Sequence, residues 1–505
     1  MPHVVPPAAQ TPIDITDDRA RLDLTRILEL EHPDRDGDDA PALTGGTGPR
    51  PEIPQGKGEE KSMEGLKTPK DVVKFCEERD VEMIHLWFVD ILGQLKSVAI
   101  TLRELGTALE EGVGVDGSSV EGFARIYESD LVAMPDPATF QLLPWKVNDE
   151  HAGRMICDIL NPDGSPYAGD TRHVLRRALK KLDKEGYTFY LGPELEYFYF
   201  RSVKDRSLLD TAGYFDQIPD DLGTELRSRT VEALQAMEIS VEASHHEVAH
   251  SQHEIDLRYS EALKMADQTI TYRYVVKEIA RQNGCYATFM PKPVHGQNGS
   301  GMHVHQSLFK GGKNVFFDSK DKHHLSKAGK SYLAGILQHM REITAVTNQW
   351  VNSYKRLVPG FEAPVYIAWG QRNRSALVRV PMYKPGKEKA TRIELRCPDP
   401  ACNPYLAFSV MLAAGLKGMD SALVLRPPFE EDIYEMNAAE RKKNGIESLP
   451  GSLIEAIELT EKSRLVKDAL GEHVFQKFVE NKHIEWDNYR TWVTDYELNE
   501  YYPIL

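Results

Sequence analysis

Of four short segments, one brings two glutamates together across a turn, and three place ionisable residues two positions apart among strand-forming residues. In GPELEYFYF these are Glu194 and Glu196; in GSGMHVHQSL, His303 and His305; in ATRIELRCP, Arg392, Glu394 and Arg396, with Ile393 and Leu395 between them. Side chains of a strand alternate between faces, so each segment puts its charges on one side and its apolar residues on the other. In VEASHHEVAHSQHEIDLRY, Glu247 and Glu254 flank the turn-like AHSQ, and a hairpin there brings them close. One such strand alone reads as a solvent face. Four together, with Glu, His and Arg but no Lys on the charged side, point to a shared cavity. Two carboxylates about 4 Å apart repel by about 4 kcal/mol at an effective dielectric of about 20. A converging set therefore needs cations or must take up protons. Oxygen donors with one or two imidazoles suit Mg²⁺ or Mn²⁺ rather than a thiolate-preferring metal.

The same region contains HEVAH, His246 to His250, which matches the H-E-x-x-H signature of zinc peptidases. That chemistry needs both histidines one turn apart on a helix. ISVEASHHEVAHSQHEIDL clusters Ile, Val, Ser and His without helical rhythm, so the sequence predicts strands around a turn and rejects the peptidase.

The elements that must hold these groups fill a long chain. It has 505 residues, net charge -16 and 41% hydrophobic residues, enough for a large core and more than one domain. The acidic balance argues against nucleic acid and anionic membranes as partners, because phosphate binding needs clustered Lys and Arg. The five cysteines are read as structural: CPDPAC holds Cys397 and Cys402, but no second pair completes a zinc site, and a reducing cytoplasm is expected. The apolar run YLAFSVMLAAGL is shorter than the roughly 20 residues of a bilayer span, and no signal peptide is expected.

Residues 1 to 62 are rich in Pro, Gly and Asp and poor in apolar residues, and only ARLDLTRILELE suits a short helix. They read as a disordered extension, with Met63 as the functional start. A small α+β domain is expected over 66–160, opening at TPKDVVKFCEERDV with Thr68 as a helix cap. After the turn-rich NPDGSPYAGD, a large second domain is expected over 161–505; its NPYLAFSVMLAAGLKGM helix places Pro404 in the first turn. The aromatic tail EWDNYRTWVTDYELNEYYPIL predicts burial against another subunit.

Seven motifs in order, DGSSVEGF, GPELEYFYF, HHEVAHSQHE, NGSGMHVHQSL, NSYKRLVPGFEAP, RNRSALVRVP and RIELRCPDPACNPYLAF, resemble the type I glutamine synthetase family over residues 66 to 505. The resemblance implies an α+β fold: a small N-terminal β-grasp-like domain and a C-terminal catalytic domain with a curved antiparallel sheet. It implies a dodecamer of two hexameric rings with active sites between subunits. It implies ATP-dependent ligation of ammonia to glutamate through γ-glutamyl phosphate, with two Mg²⁺ or Mn²⁺ per site. By similarity Glu196, Glu247 and Glu254 hold one cation, and Glu194, His303 and Glu394 the other. Arg374 and Arg379 match catalytic, phosphate-facing arginines. Asn298, Gly299, Arg356 and Arg396 match glutamate-binding positions. Glu242, Tyr259, His305, Ser307, Lys389 and Arg392 match nucleotide contacts. The ammonium pocket corresponds to Asp116, Ser119, Tyr214, Glu247 and Glu362, with Asp116 reaching in from the adjacent subunit and Glu362 on a flap. Arg125 matches an arginine of glutamine-inhibited members, and Tyr434 stands where some bacterial members are adenylylated, though its flanks differ from theirs. The rival within the family is a γ-glutamyl-amine ligase, which need not keep the ammonium pocket. A non-catalytic relative should have lost metal ligands, and all six are present.

Overall fold

The computed structural model describes residues 63–120, 130–147, 150–217 and 222–505. The first helix, α1 (Pro69–Glu78), starts as its sequence requires. Thr68 Oγ1 accepts from the Asp71 amide while the Asp71 carboxylate accepts from the Thr68 amide at 3.1 Å, a reciprocal cap. The strands β1 (Val81–Val89), β2 (Leu95–Thr101), β3 (Val113–Asp116), β4 (Asp130–Pro135), β5 (Gln141–Leu142) and β6 (His151–Leu160) form one sheet. Its order is β2-β1-β6-β4-β3, with β5 on β6; β1 and β6 run parallel and the other pairs antiparallel.

The second sheet contains ten strands: β7 (Tyr187–Phe200), β8 (Val241–His246), β9 (Gln252–Leu257), β10 (Ser260–Glu261), β11 (Tyr286–Thr288), β12 (Met302–Lys310), β13 (Lys313–Asn314), β14 (Tyr366–Gly370), β15 (Ala376–Arg379) and β16 (Ile393–Leu395). The main path is β14-β15-β16-β12-β7-β9-β8. All pairs along it are antiparallel except β14–β15, which is parallel, so the sheet is mixed where the sequence led us to expect an antiparallel one. The reason is local: the 371–375 connection doubles back along the sheet instead of turning tightly. It is pinned by Glu430, which accepts from the amides of Gln371 and Arg372, and by Asn373, which donates to the carbonyls of Phe429 and Glu431.

Helices cover the sheet. The apolar helix Pro404–Asp420 is buried nearly all round, and Asn403 Oδ1 caps it by accepting from the amides of Tyr405 and Leu406. It lies so close to the helix Lys327–Thr347 that a Cβ on Gly335 would fall 2.3 Å from the Ala414 carbonyl. The first sheet is tied to the helix Ala262–Gln282 through a buried Arg172, whose guanidinium meets Asp136 (3.0 Å), Asp158 (2.7 Å) and Asp267 (2.9 Å). Asp267 also accepts from Tyr405 Oη at 2.7 Å. Enclosed ion pairs of this kind persist when each charge is fully hydrogen-bonded. At the far end, the helices Glu472–Thr491 and Asp495–Glu500 lead to Trp492, Tyr502 and Leu505, which are 73%, 84% and 99% exposed in the single chain.

Candidate active site

Strand register assembles the site. On β7, Glu194 lies opposite His303 of β12 and Asp256 of β9, and Glu196 lies opposite Glu254 of β9. On β16, Glu394 lies opposite His305 of β12 and Arg379 of β15. The hairpin β8–β9 sets His245 opposite Glu254. Because alternate residues share a face, these side chains, His305 excepted, line one cleft of about 830 Å³. The hairpin also settles the HEVAH motif. His246 ends a strand and faces Asp210, whereas His250 lies in the turn and donates to the Ala212 carbonyl, so the two do not form a helical pair of ligands.

Two donor sets stand out. In the first, His303 Nδ1 is 3.3 Å from Glu194 and 3.8 Å from Glu394, and one ligating atom of each residue lies within 4.8 Å of the others. In the second, His245 stands between Glu247 (3.2 Å) and Glu254 (3.1 Å), with Glu196 across the strand pair. Glu196 Oε2 accepts from Gln252 Nε2 at 2.8 Å and from the Gly301 amide at 2.9 Å. The buried Glu254 Oε1 and Asp256 Oδ1 have no hydrogen-bond partner among the described residues.

The electrostatics divide accordingly. Burial and the neighbouring Glu247 push the Glu196 carboxyl up to about 7. Burial and Glu254 push Glu247 up to about 8. Burial, with Asp256 and Glu196 beside it, holds Glu254 well above the carboxylate range. Burial also opposes ionisation of Glu194, but His305 and His303 outweigh it and hold that carboxyl below its usual range. Such a set fits divalent cations bound through oxygen and imidazole: several desolvated carboxylates, orphaned acceptor oxygens and no thiolate.

The raised groups hold protons in the folded protein that the unfolded chain releases, so stability falls as pH rises through their folded values. Chelator-treated protein is expected to lose on the order of a few kcal/mol between about pH 6.5 and 8.5. Excess Mg²⁺ at the upper pH should restore it. Thermal melts with and without chelator check this; a metal-independent, pH-flat melting point contradicts it.

The remaining residues fall into groups. Tyr214, Asn298, Gly299, Arg356, Glu362, Arg374, Arg379 and Arg396 line the same cleft as the acids. A Cβ on Gly299 would fall 2.3 Å from the Pro291 carbonyl, so this close approach requires glycine. Arg356 donates to the carbonyls of Cys397 (2.6 Å) and Pro398 (3.2 Å), and Arg379 Nε lies 2.5 Å from Glu394. Glu362 has φ +56° and accepts from Asn298 Nδ2 at 3.4 Å. His305 joins Glu194 (2.7 Å) to Arg392 (3.1 Å), which extends the line of polar groups past the cleft, and Ser307 follows it, buried, on β12. Tyr259 is 55% exposed, and Glu242 and Lys389 are exposed outside the cleft. Asp116 is exposed, accepts from the Ser118 amide and hydroxyl, and is not among the residues that line the cleft. Tyr434 Oη donates to the Ala363 carbonyl at 2.8 Å. Arg125 and the side chain of Ser119 lie outside the described residues.

Sequence reasoning passed over several lining residues, among them His245, Gln252, Asp256 and Arg372. His245 and Asp256 each lie two positions from a chosen glutamate, so the alternation rule already placed them on the right face. Gln252, two positions before Glu254 on β9, carries the same signal and supports Glu196 by a hydrogen bond, whereas Arg372 carries none and comes from the doubled-back 371–375 connection.

Residues 168–501 match the family model described as glutamine synthetase, catalytic domain, and residues 80–162 match that described as glutamine synthetase, β-grasp domain. The glutamine synthetase of Mycolicibacterium smegmatis is 54% identical over 436 residues, covering 85% of this chain and 98% of the relative. That of Methanosarcina mazei is 49% identical over 447 residues, covering 88% and 99%. Among solved structures, the cryo-EM structure of Plasmodium falciparum glutamine synthetase superposes with a TM-score of 0.78 at 26% identity, over 86% of this chain and 99% of that one. A GmaS–ADP complex matches with TM-score 0.78 at 28% identity, over 85% and 99%.

Proposed function

The chain belongs to the glutamine synthetase family, and on that premise we propose how its residues divide the family's reaction. The reaction is ATP-dependent ligation of ammonia to the γ-carboxylate of glutamate through γ-glutamyl phosphate, giving glutamine, ADP and phosphate. A free carboxylate is a poor electrophile. Phosphorylating it creates a leaving group, so the site must gather two anionic substrates, spread phosphoryl charge and exclude water.

Glu196, Glu247 and Glu254 are suited to one Mg²⁺ or Mn²⁺, and Glu194, His303 and Glu394 to another. When bound, such ions supply Lewis-acid charge stabilisation at the transferring phosphoryl group. Arg374 and Arg379 direct guanidinium forks at the same phosphoryl oxygens. Arg356 and Arg396, with Asn298 and the Gly299 backbone, hold glutamate. His305, Ser307, Arg392, Glu242, Tyr259 and Lys389 flank the nucleotide. Tyr214, Glu247 and Glu362 surround ammonium; the carboxylates select the cation and take its proton before attack on the acyl phosphate. Asp116 and Ser119 complete that pocket from a neighbouring copy, which accords with an exposed Asp116 that does not line the cleft of its own chain. The exposed aromatic tail suits docking on a further copy in a dodecamer of two rings. Among the described residues no helix is long and apolar enough to cross a membrane, and the cytoplasm is the proposed location.

The observation that supports this reading most directly is the crowding of buried, mutually repelling carboxylates around imidazoles in one cleft. The test is ATP-dependent turnover of glutamate with ammonium and Mg²⁺, with putrescine and ethanolamine as competing acceptors. Glutamine should form with one ADP per product, and the amines should not compete. Products from the amines alone would instead identify a γ-glutamyl-amine ligase.

A further inference from the structure

Behind the hairpin that carries Glu247 and Glu254 lies a second cluster, buried and separate from the cleft. Asp210, His246 and His253 bring ligating atoms within 4.8 Å of one another, which invites a metal reading. The hydrogen bonds reject it. Arg227 Nη1 approaches His253 Nδ1 at 2.5 Å, and a guanidinium can only donate, so Nδ1 is the acceptor. The proton of a neutral His253 then sits on Nε2, the atom that faces Asp210 Oδ2 at 3.4 Å. A protonated nitrogen beside a guanidinium does not ligate a cation.

The cluster's connections reveal another role. Asp210 Oδ1 accepts from His246 Nε2 (2.9 Å), the Ser251 amide (3.0 Å) and the Ala212 amide (3.1 Å). Ser251 Oγ in turn accepts from the amides of Leu209 (2.7 Å) and Asp210 (2.9 Å). His246 Nδ1 donates to the backbone carbonyl of Glu247 at 2.7 Å, and the His246 carbonyl accepts from the Phe215 amide at 3.1 Å. Phe215 stacks on Tyr214 with centroids 4.0 Å apart and meets the His245 ring edge-on at 4.9 Å. One half-buried carboxylate thus fixes both the backbone at Glu247 and the loop that presents Tyr214.

We infer that Asp210, acting through His246 and Ser251, is the positioning residue that sets the spacing between Tyr214 and Glu247, the two walls this chain contributes to the ammonium pocket. This rests on the ammonium assignment above. The loop and the hairpin turn share no regular secondary structure; besides this hub, the described residues tie them together through the Phe215–His246 backbone bond, the contacts of the Tyr214 and Phe215 rings with His245, and the His250–Ala212 bond at 3.0 Å.

The test separates ammonium capture from folding and from phosphoryl transfer. At saturating Mg²⁺, Asp210→Ala should raise KM for ammonium roughly tenfold or more, the scale of losing an outer support of a site group. KM for ATP and for glutamate should stay within about twofold. Formation of γ-glutamyl hydroxamate from hydroxylamine, a neutral nucleophile that needs no cation pocket, should also stay within about twofold. Asp210→Asn keeps one acceptor oxygen and should recover part of the loss. If Asp210→Ala does not fold, Ser251→Ala decides: it removes the hydroxyl that accepts from the Leu209 and Asp210 amides and should raise ammonium KM about threefold. An unchanged ammonium KM in folded variants overturns the inference, as does a joint rise of all three KM values. A wild type that makes no glutamine from ammonia fails the functional reading itself.

Discussion

Glu254→Gln is expected to lower kcat/KM for glutamine formation by roughly 10³-fold, about 4 kcal/mol of transition-state stabilisation. Glu254 is the most enclosed of the acids on β9, 6% exposed, facing Glu196 across one strand pair and His245 across the other. The substitution keeps size and one oxygen but removes a charge, so a cation held there loses an anionic ligand. The same change has the opposite effect on the metal-free protein. A buried carboxylate repelled by Asp256 and Glu196 costs stability when ionised, and a neutral amide does not. Chelator-treated Glu254→Gln should therefore melt above chelator-treated wild type, while Mg²⁺ raises the wild type more. Steady-state kinetics and paired melts check both signs. Activity within tenfold of wild type contradicts the ligand role.

Glu362→Ala is expected to reduce ammonia-dependent synthesis by about 10²- to 10³-fold, the range of a lost general base, with ATP affinity within about twofold. Glu362 sits on a loop where Gly360 has φ +92° and Glu362 itself φ +56°. Alanine is no better suited to that conformation than glutamate, so the backbone is not relieved and the effect belongs to the side chain. The loop is held near the cleft by Lys292 Nζ, 3.8 Å from the Phe361 ring centroid, and by the Asn298–Glu362 contact. Nucleotide titration alongside glutamine formation measures the split. Equal loss of ATP binding would show that the loop shapes the whole cleft rather than the ammonium end.

The site was readable in the sequence to the extent that a strand's two-residue period fixes which side chains share a face. Glu194 with Glu196, His303 with His305, and Arg392 with Glu394 and Arg396 needed only that rule, and the AHSQ turn added Glu247 and Glu254. What alternation cannot reveal is which strands become neighbours. The placement of Arg372 and Arg374 depends on the doubled-back 371–375 connection, held by Glu430 nearly sixty residues away in sequence. The Asp210 hub likewise joins a loop, a hairpin and a helix through single hydrogen bonds with no local pattern. Asp116 illustrates a third limit: it does not line the cleft of its own chain, and the part proposed for it depends on a neighbouring copy that no pattern within one sequence places.

The most direct measurement is anomalous diffraction from crystals of the protein grown with Mn²⁺ and ADP. The account predicts two peaks per cleft, one among Glu194, His303 and Glu394 and one among Glu196, Glu247 and Glu254, and none at Asp210, His246 and His253. A cleft without manganese, or a peak at the Asp210 cluster instead, would contradict it.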